Sequence, residues 1–243
     1  MKLLLIRHGD PDYVNDSLTK KGFNEAEILA KRIGKMKIDE CYVSPLGRAK
    51  ATAAPSLKAL GMTATTCDWM EEFAPTIYRP DAPDKRNVVW DWLPQDWTKN
   101  ENFYDYKNWW DNDIFSSEDV KSKAEYITKS FDGFLANHGY VRQGHYYKAE
   151  KPNNDTIAIF SHFGCGCIMI GHLIGVSPMV LWHGLCAAPT SVTTIATEER
   201  RKGIASFRVL SYGDTSHLYA ENEPPAFAAR FCECYGNKGE RID

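Results

Sequence analysis

The chain has 243 residues, 43% of them hydrophobic and 25% charged, with a formal net charge of −3. That length supports one large α/β domain, and that composition excludes a largely disordered chain. General nucleic-acid binding is excluded as well, because no basic run is present to displace counterions, so any anion site must be local. The apolar run from Leu3 to Ile6 meets Arg7 and His8 too early for a signal-peptide core, and no later stretch suits a bilayer span. Seven cysteines are scattered without C-x-x-C spacing, and the pairs Cys165/Cys167 and Cys232/Cys234 read as buried thiols. The expectation is a reduced, cytoplasmic compartment with no disulfide framework and no membrane partner.

Lys2 to Ile6 reads as a buried first strand that stops at Arg7-His8-Gly9 and opens into a loop. Thr19 can cap a helix with Phe23, Ala26, Ala30 and Ile33 at helical spacing, closing near Gly34. Ile38 to Val43 is the second strand, and Ser44-Pro45 then predicts an N-cap with proline at the first helical position. That helix runs towards Leu60, with a kink or break expected at Pro55. Thr63 to Trp69 reads as a third strand ending in Glu71-Glu72.

Residues 73 to about 115 break the pattern, with Trp90, Trp92, Trp97, Trp109 and Trp110 among prolines and acids, and read as an inserted cap. Ser117 opens a helix that places Val120, Ala124, Ile127, Phe131 and Leu135 on one face and ends near Gly139. Residues 140 to 154 read as an exposed hairpin or loop. Thr156 to Phe160 is a near-continuous apolar strand that stops at Ser161-His162, and an apolar helix follows from Gly164 to about Ile174. Ser191 to Thr197 and Ile204 to Leu210 are two further strands before a loop-like tail.

Strands alternating with helices predict a three-layer α/β fold, a mainly parallel sheet with helices on both faces and an inserted cap. In such sheets ligands bind beyond the carboxyl ends of the strands. His8, Ser44 to Arg48, Glu72 and His162 each fall just after a predicted strand and so converge on one edge. These residue types suit phosphoryl transfer, which needs an in-line nucleophile, positive donors on the equatorial oxygens and a proton for the leaving alkoxide. His8 attacks through a neutral ring nitrogen if its other nitrogen donates to a backbone carbonyl. Arg7 and Arg48 offer planar guanidinium forks for phosphate oxygens. His162 is expected to act as a second cationic donor, aided by the amide of Phe163 and the helix N-terminus behind it. Glu72, with Glu71 as fallback, protonates the leaving alcohol if burial raises its pKa.

Leu5-Ile6-Arg7-His8-Gly9, Leu18-Thr19 followed by Gly22, and the run Ser44-x-Leu46-x-Arg48-Ala49-x-x-Thr52-Ala53 together resemble the histidine phosphatase superfamily, the phosphoglycerate mutase-like fold. Ser161-His162 is similar to its second histidine element, and Gly213-Asp214-Thr215-Ser216-His217-Leu218 to its C-terminal pattern. The resemblance implies that His8 is phosphorylated, that Arg7, Arg48 and His162 bind the phosphoryl group, and that Glu72 donates the proton. It also implies a small phosphorylated substrate, inorganic phosphate as product, and no metal or other cofactor. Pro11 and Val14 replace residues usual in the family, which leaves Asn15, displaced by one, as the phosphate contact to test. The usual Gly-Gly after the second histidine is Phe163-Gly164 here, and the Trp-Glu-Gly element of the mutase branch is absent after Glu72.

The function expected is therefore a metal-independent phosphomonoesterase, with a phosphoglycerate-type mutase or a non-catalytic phospho-ligand binding module as alternatives. His138, His145, His172 and His183 are assigned to structure, and His217 to support of the fold. The tryptophans of 73 to 115 are read as cap core. Arg79, Lys85 and Arg86 are read as solvated charge rather than selectors of an acidic substrate. Neither substrate nor oligomeric state is legible.

Overall fold

The four apolar residues Leu3 to Ile6 are all buried, as a strand covered on both faces needs, and this strand lies inside the sheet. The computed structural model describes residues 1–115, 119–226, 234–236 and 238–239. In chain order the elements are β1 (Lys2–Arg7), a small hairpin of β2 (Pro11–Asp12) and β3 (Ser17–Leu18), α1 (Lys20–Ile33), β4 (Glu40–Val43), α2 (Gly47–Leu60) and β5 (Thr65–Thr66). A second hairpin of β6 (Thr76–Arg79) and β7 (Ala82–Val88) follows, then α3 (Pro94–Trp97), α4 (Val120–Asn137), β8 (Tyr140–Gln143), β9 (Tyr146–Ala149) and β10 (Thr156–Ser161). The chain continues through α5 (Phe163–Ile174), α6 (Pro178–Gly184), β11 (Val192–Arg201), β12 (Ile204–Asp214) and α7 (Ser216–Ala220).

The main sheet has eight strands in the order β5-β4-β10-β1-β11-β12-β9-β8. β5, β4, β10 and β1 are mutually parallel, and every later pair is antiparallel. Two antiparallel steps restore direction, so β12 and β8 run with β1, and only β11 and β9 oppose it. This is the mixed, mostly parallel sheet expected.

Alternation along β1 builds the two cores. Leu4 and Ile6 join Leu29 and Ile33 of α1 and Ala49 and Ala53 of α2 on one face. Leu3 and Leu5 join Phe131 and Leu135 of α4, Ile168 and Met169 of α5, and Trp92, Phe103, Trp109 and Phe115 on the other. Helices therefore cover both faces. Residues 73–115 bury Phe73, Trp92, Phe103, Trp109 and Phe115 in the same apolar cluster as β1 and α5. Trp92 meets Phe103 edge-on at 5.4 Å, and Trp109 meets Trp182 of α6 at 5.3 Å.

Several local expectations change. The buried stripe of α1 is Gly22, Glu25, Ala26, Leu29 and Ile33, so Phe23, about 100° off that stripe, is 47% exposed. α2 starts at Gly47 after Leu46 rather than at Pro45, and the Ser44 hydroxyl is shared between Leu46 N–H and His162. α2 also runs through Pro55 without a break. The third strand shrinks to Thr65–Thr66, since Asp68–Met70 winds into a 3₁₀ turn that buries Met70. Residues 140–149 form the hairpin expected, β8–β9, but it is not simply exposed: it lies on the sheet edge, paired to β12, with Tyr140, Tyr147 and Ala149 buried. Ser117 and Cys232 lie outside the described residues; α4 is seen from Val120, and the apolar face expected of it is buried. Among the described residues no helix is long and apolar enough to cross a membrane.

Candidate active site

Parallel register brings three strand ends to one edge. Arg7 of β1 lies opposite Ser161 of β10, and Phe160 of β10 lies opposite Val43 of β4. The next residues, His8, His162 and Ser44, therefore meet, and the ladder is extended by backbone bonds from His8 N–H to the Ser161 carbonyl (3.0 Å) and from Ser44 N–H to the Phe160 carbonyl (2.9 Å). The rings of His8 and His162, 154 positions apart in the numbering, stand 5.1 Å apart at 56°. All three side chains are buried.

A backbone hydrogen bond fixes the tautomer of His8. His8 Nδ1 is 2.7 Å from the Gly9 carbonyl, which can only accept, so Nδ1 carries the hydrogen and the neutral ring keeps a lone pair on Nε2. Burial, reinforced by Arg7 and Arg48, holds the His8 pKa well below the usual imidazole value, against the pull of the Gly9 bond. His162 Nε2 is 2.7 Å from Ser44 Oγ, and that oxygen accepts from Leu46 N–H at 3.3 Å. The hydroxyl oxygen keeps a second lone pair, so the bond to Nε2 can run in either direction. Burial, then His8, Arg48 and Arg7, also push the His162 pKa down. Both rings are thus held toward the neutral form.

Three buried nitrogens of this set, Arg7 Nε, Arg48 Nε and His162 Nδ1, have no hydrogen-bond partner in the protein. Unpaired buried donors are costly, and an anion with several acceptor oxygens satisfies such a group. Arg7 is anchored by donation from Nη1 to the Ala187 carbonyl, and its guanidinium lies 5.8 Å from the Phe163 ring. Arg48 lies in the first turn of α2, where Nη1 donates to Asp16 Oδ1 at 2.7 Å and the Tyr13 ring lies 5.5 Å away.

Glu72 is the carboxylate turned inward, whereas Glu71 is exposed. Its Oε1 accepts from the amides of Phe73 (2.8 Å) and Cys165 (3.0 Å), the latter in the first turn of α5. Burial raises its pKa, opposed by the Cys165 amide, Arg7, Arg48 and the Phe73 amide. Gly164 makes the approach possible: a Cβ there would lie 2.7 Å from Glu72 Oε1 and 2.9 Å from the Phe73 carbonyl. Trp90 closes the same corner, donating from Nε1 to the Phe73 carbonyl at 2.9 Å, with its ring 5.7 Å from that of Phe163.

Asn15 does not join this group. It is exposed, and its amide donates to Asp12 Oδ2 at 2.7 Å within a turn. The residue that reaches Arg48 is Asp16, held at φ 44°, whose Oδ2 also accepts from Gly47 N–H at 2.6 Å. Burial would raise its pKa, but the Gly47 amide and Arg48 lower it overall. Sequence reasoning missed Asp16, and it brought Ser44 to this edge only as a helix cap and not as the partner of His162. Ser44 has a strand-end signal but reads equally well as a helix cap, and Asp16 has none. Arg79 is not a solvated charge: it pairs with Asp81 at 3.0 Å and donates to the carbonyls of Trp90 and Asp91, bracing the wall that holds Trp90.

The family model described as the histidine phosphatase superfamily, branch 1, matches residues 3–209. No sequence among the curated proteins matches the chain. A mutant phosphoserine phosphatase from Entamoeba histolytica in complex with phosphoserine is similar in structure, at 21% identity and a TM-score of 0.57, covering 89% of this chain and 98% of that one. A mycobacterial glucosyl-3-phosphoglycerate phosphatase complexed with VO3 matches at 15% identity and 0.57, covering 88% and 99%. A putative alpha-ribazole-5'-P phosphatase from Escherichia coli matches at 20% and 0.55, covering 88% and 97%.

Proposed function

Because the chain belongs to the histidine phosphatase superfamily, we propose that it hydrolyses a small phosphate monoester through a phosphohistidine on His8, without a metal. The observation that carries this reading is the His8 ring itself: neutral, with Nδ1 fixed on the Gly9 carbonyl and Nε2 left as the nucleophile beside His162. Arg7, Arg48 and His162 Nδ1 take the equatorial oxygens, where charge builds up in a loose transition state. His8 Nε2 forms the bond to phosphorus as the ester P–O bond breaks, and protonated Glu72 gives its proton to the departing alkoxide. Glu72, now a carboxylate, takes a proton from water as that water attacks the phosphohistidine, releasing inorganic phosphate and restoring neutral His8.

Residues 73–115 form an inserted cap whose Trp90 walls the leaving-group side, and the protein acts in the cytoplasm. The similar proteins whose names include phosphoserine and glucosyl-3-phosphoglycerate make small phosphorylated metabolites the first substrates to test. Turnover of an aryl phosphate in the presence of chelator, together with acid-labile labelling of the wild type but not of His8→Ala, is the result expected. Equal turnover by His8→Ala, or dependence on an added metal ion, overturns the proposal. Phosphate binding without labelling would instead support a non-catalytic binding module.

A further inference from the structure

His217 is buried in α7, 209 positions after the nucleophile in the numbering. Its Nε2 stands 3.1 Å from Thr190 Oγ1. The Thr190 hydroxyl donates to the Pro189 carbonyl at 2.7 Å, so its oxygen can only accept and Nε2 must carry the hydrogen. Nδ1, buried and without a partner, is then a bare lone pair, a lesser loss than an orphaned N–H. Burial, with Arg32 and against Asp214, lowers the His217 pKa to about 4, so this neutral form persists across the neutral range.

Thr190 itself is at φ 59°, a left-handed conformation that is a genuine outlier for a β-branched residue and persists only where its surroundings hold it. From that conformation the turn grips both residues of the nucleophile motif. Thr190 N–H donates to the His8 carbonyl at 3.2 Å, Arg7 N–H donates to the Ser191 carbonyl at 3.1 Å, and the Ala187 carbonyl accepts from the Arg7 guanidinium. His8 is thus seated by a strained turn, and the side chain that fixes the turn is His217.

We propose that His217 is a positioning residue for catalysis: it touches no substrate, but by holding Thr190 it sets the reach of His8 Nε2 and the lie of Arg7. This inference rests on His8 being the nucleophile. His217→Ala is expected to lower kcat by about 10- to 100-fold, the usual scale for loss of an outer hydrogen-bond support or a small misplacement of a reacting group, with KM changed by less than about threefold. His217→Gln, which can present an amide N–H near the Nε2 position, recovers most of that loss. Thr190→Gly adopts the turn without help, so adding His217→Ala to it costs little more, and the double-mutant cycle is strongly non-additive.

A kcat for folded His217→Ala equal to wild type, equal losses for the Gln and Ala variants, or additive costs in the cycle would each overturn the proposal. If His217→Ala does not fold, His217→Gln and the pair on the Thr190→Gly background decide it. An imidazole NMR arm is independent of turnover: the His8 Nδ1–H signal shifts in His217→Ala and not in His217→Gln. It separates the two readings, because an inactive wild type sinks the phosphatase while an unmoved His8 signal sinks the positioning role.

Discussion

The parallel half of the sheet and the aromatic segment 73–115 hold their side chains by different physics. At the ends of β1, β10 and β4, the backbone ladder sets where each side chain lies, and His8, His162 and Ser44 follow from register alone. In the segment, Trp90 and its neighbours are placed by ring packing and by Arg79 bonds to carbonyls, with a short hairpin and two single-turn helices as its regular structure. The chemistry is therefore expected to reside in the ladder, and the stability and leaving-group fit in the rings.

The sharpest way to break that division is His8→Ala, expected to reduce turnover by ~10⁴-fold or more while leaving the melting temperature near that of wild type, measured by single-turnover kinetics and calorimetry. Trp109→Ala is its counterpart. Trp109 is fully buried among Phe73, Phe115 and Trp182, so truncation is expected to cost about 3–5 kcal/mol in urea unfolding. His8 phosphorylation in the protein that remains folded is expected to change by less than about tenfold.

Glu72→Gln tests the join between the two regions, since Glu72 follows the parallel half and is held by α5. It is expected to lower kcat about 10²-fold for alkyl esters and much less for an activated aryl phosphate, whose leaving group needs no proton. The sign of its pH dependence follows from the raised pKa. Glu72 must be protonated in the first step, so phosphorylation falls as pH rises through its raised value, and the Gln variant loses that alkaline limb. Because the folded state binds this proton more tightly than the unfolded chain, Glu72 costs stability as pH rises above the ordinary carboxyl value, and Glu72→Gln is expected to raise the melting temperature near neutral pH. The smallest effect is expected from Asn15→Ala: less than about twofold in KM, because an exposed amide turned to Asp12 contributes little.

Much of the site was legible because its residues sit where local rules are strongest. The four-residue apolar run before Arg7-His8 and the matching run before Ser161-His162 can only be buried strands, and their ends fix the histidines. The aromatic segment had no period to read, and its burial against α5 and α6 comes from contacts between separate stretches of chain. The 140–149 hairpin looked polar and exposed because its outward face is polar, while Tyr140 and Tyr147 on the other face carry the burial.

By itself the sequence determined the alternation of strands and helices, the placing of Arg7, His8 and His162 at strand ends and of Arg48 at the start of the helix after one, and the chemistry those residue types share. Only tertiary structure decided that Ser44 meets His162 as well as the Leu46 amide, that Asp16 and not Asn15 meets Arg48, that Glu72 rather than Glu71 turns inward, and that His217 reaches His8 through Thr190. The physical reason is range: periodicity and capping act over a few residues, whereas each of these contacts joins positions far apart along the chain and exists only once the sheet has aligned them.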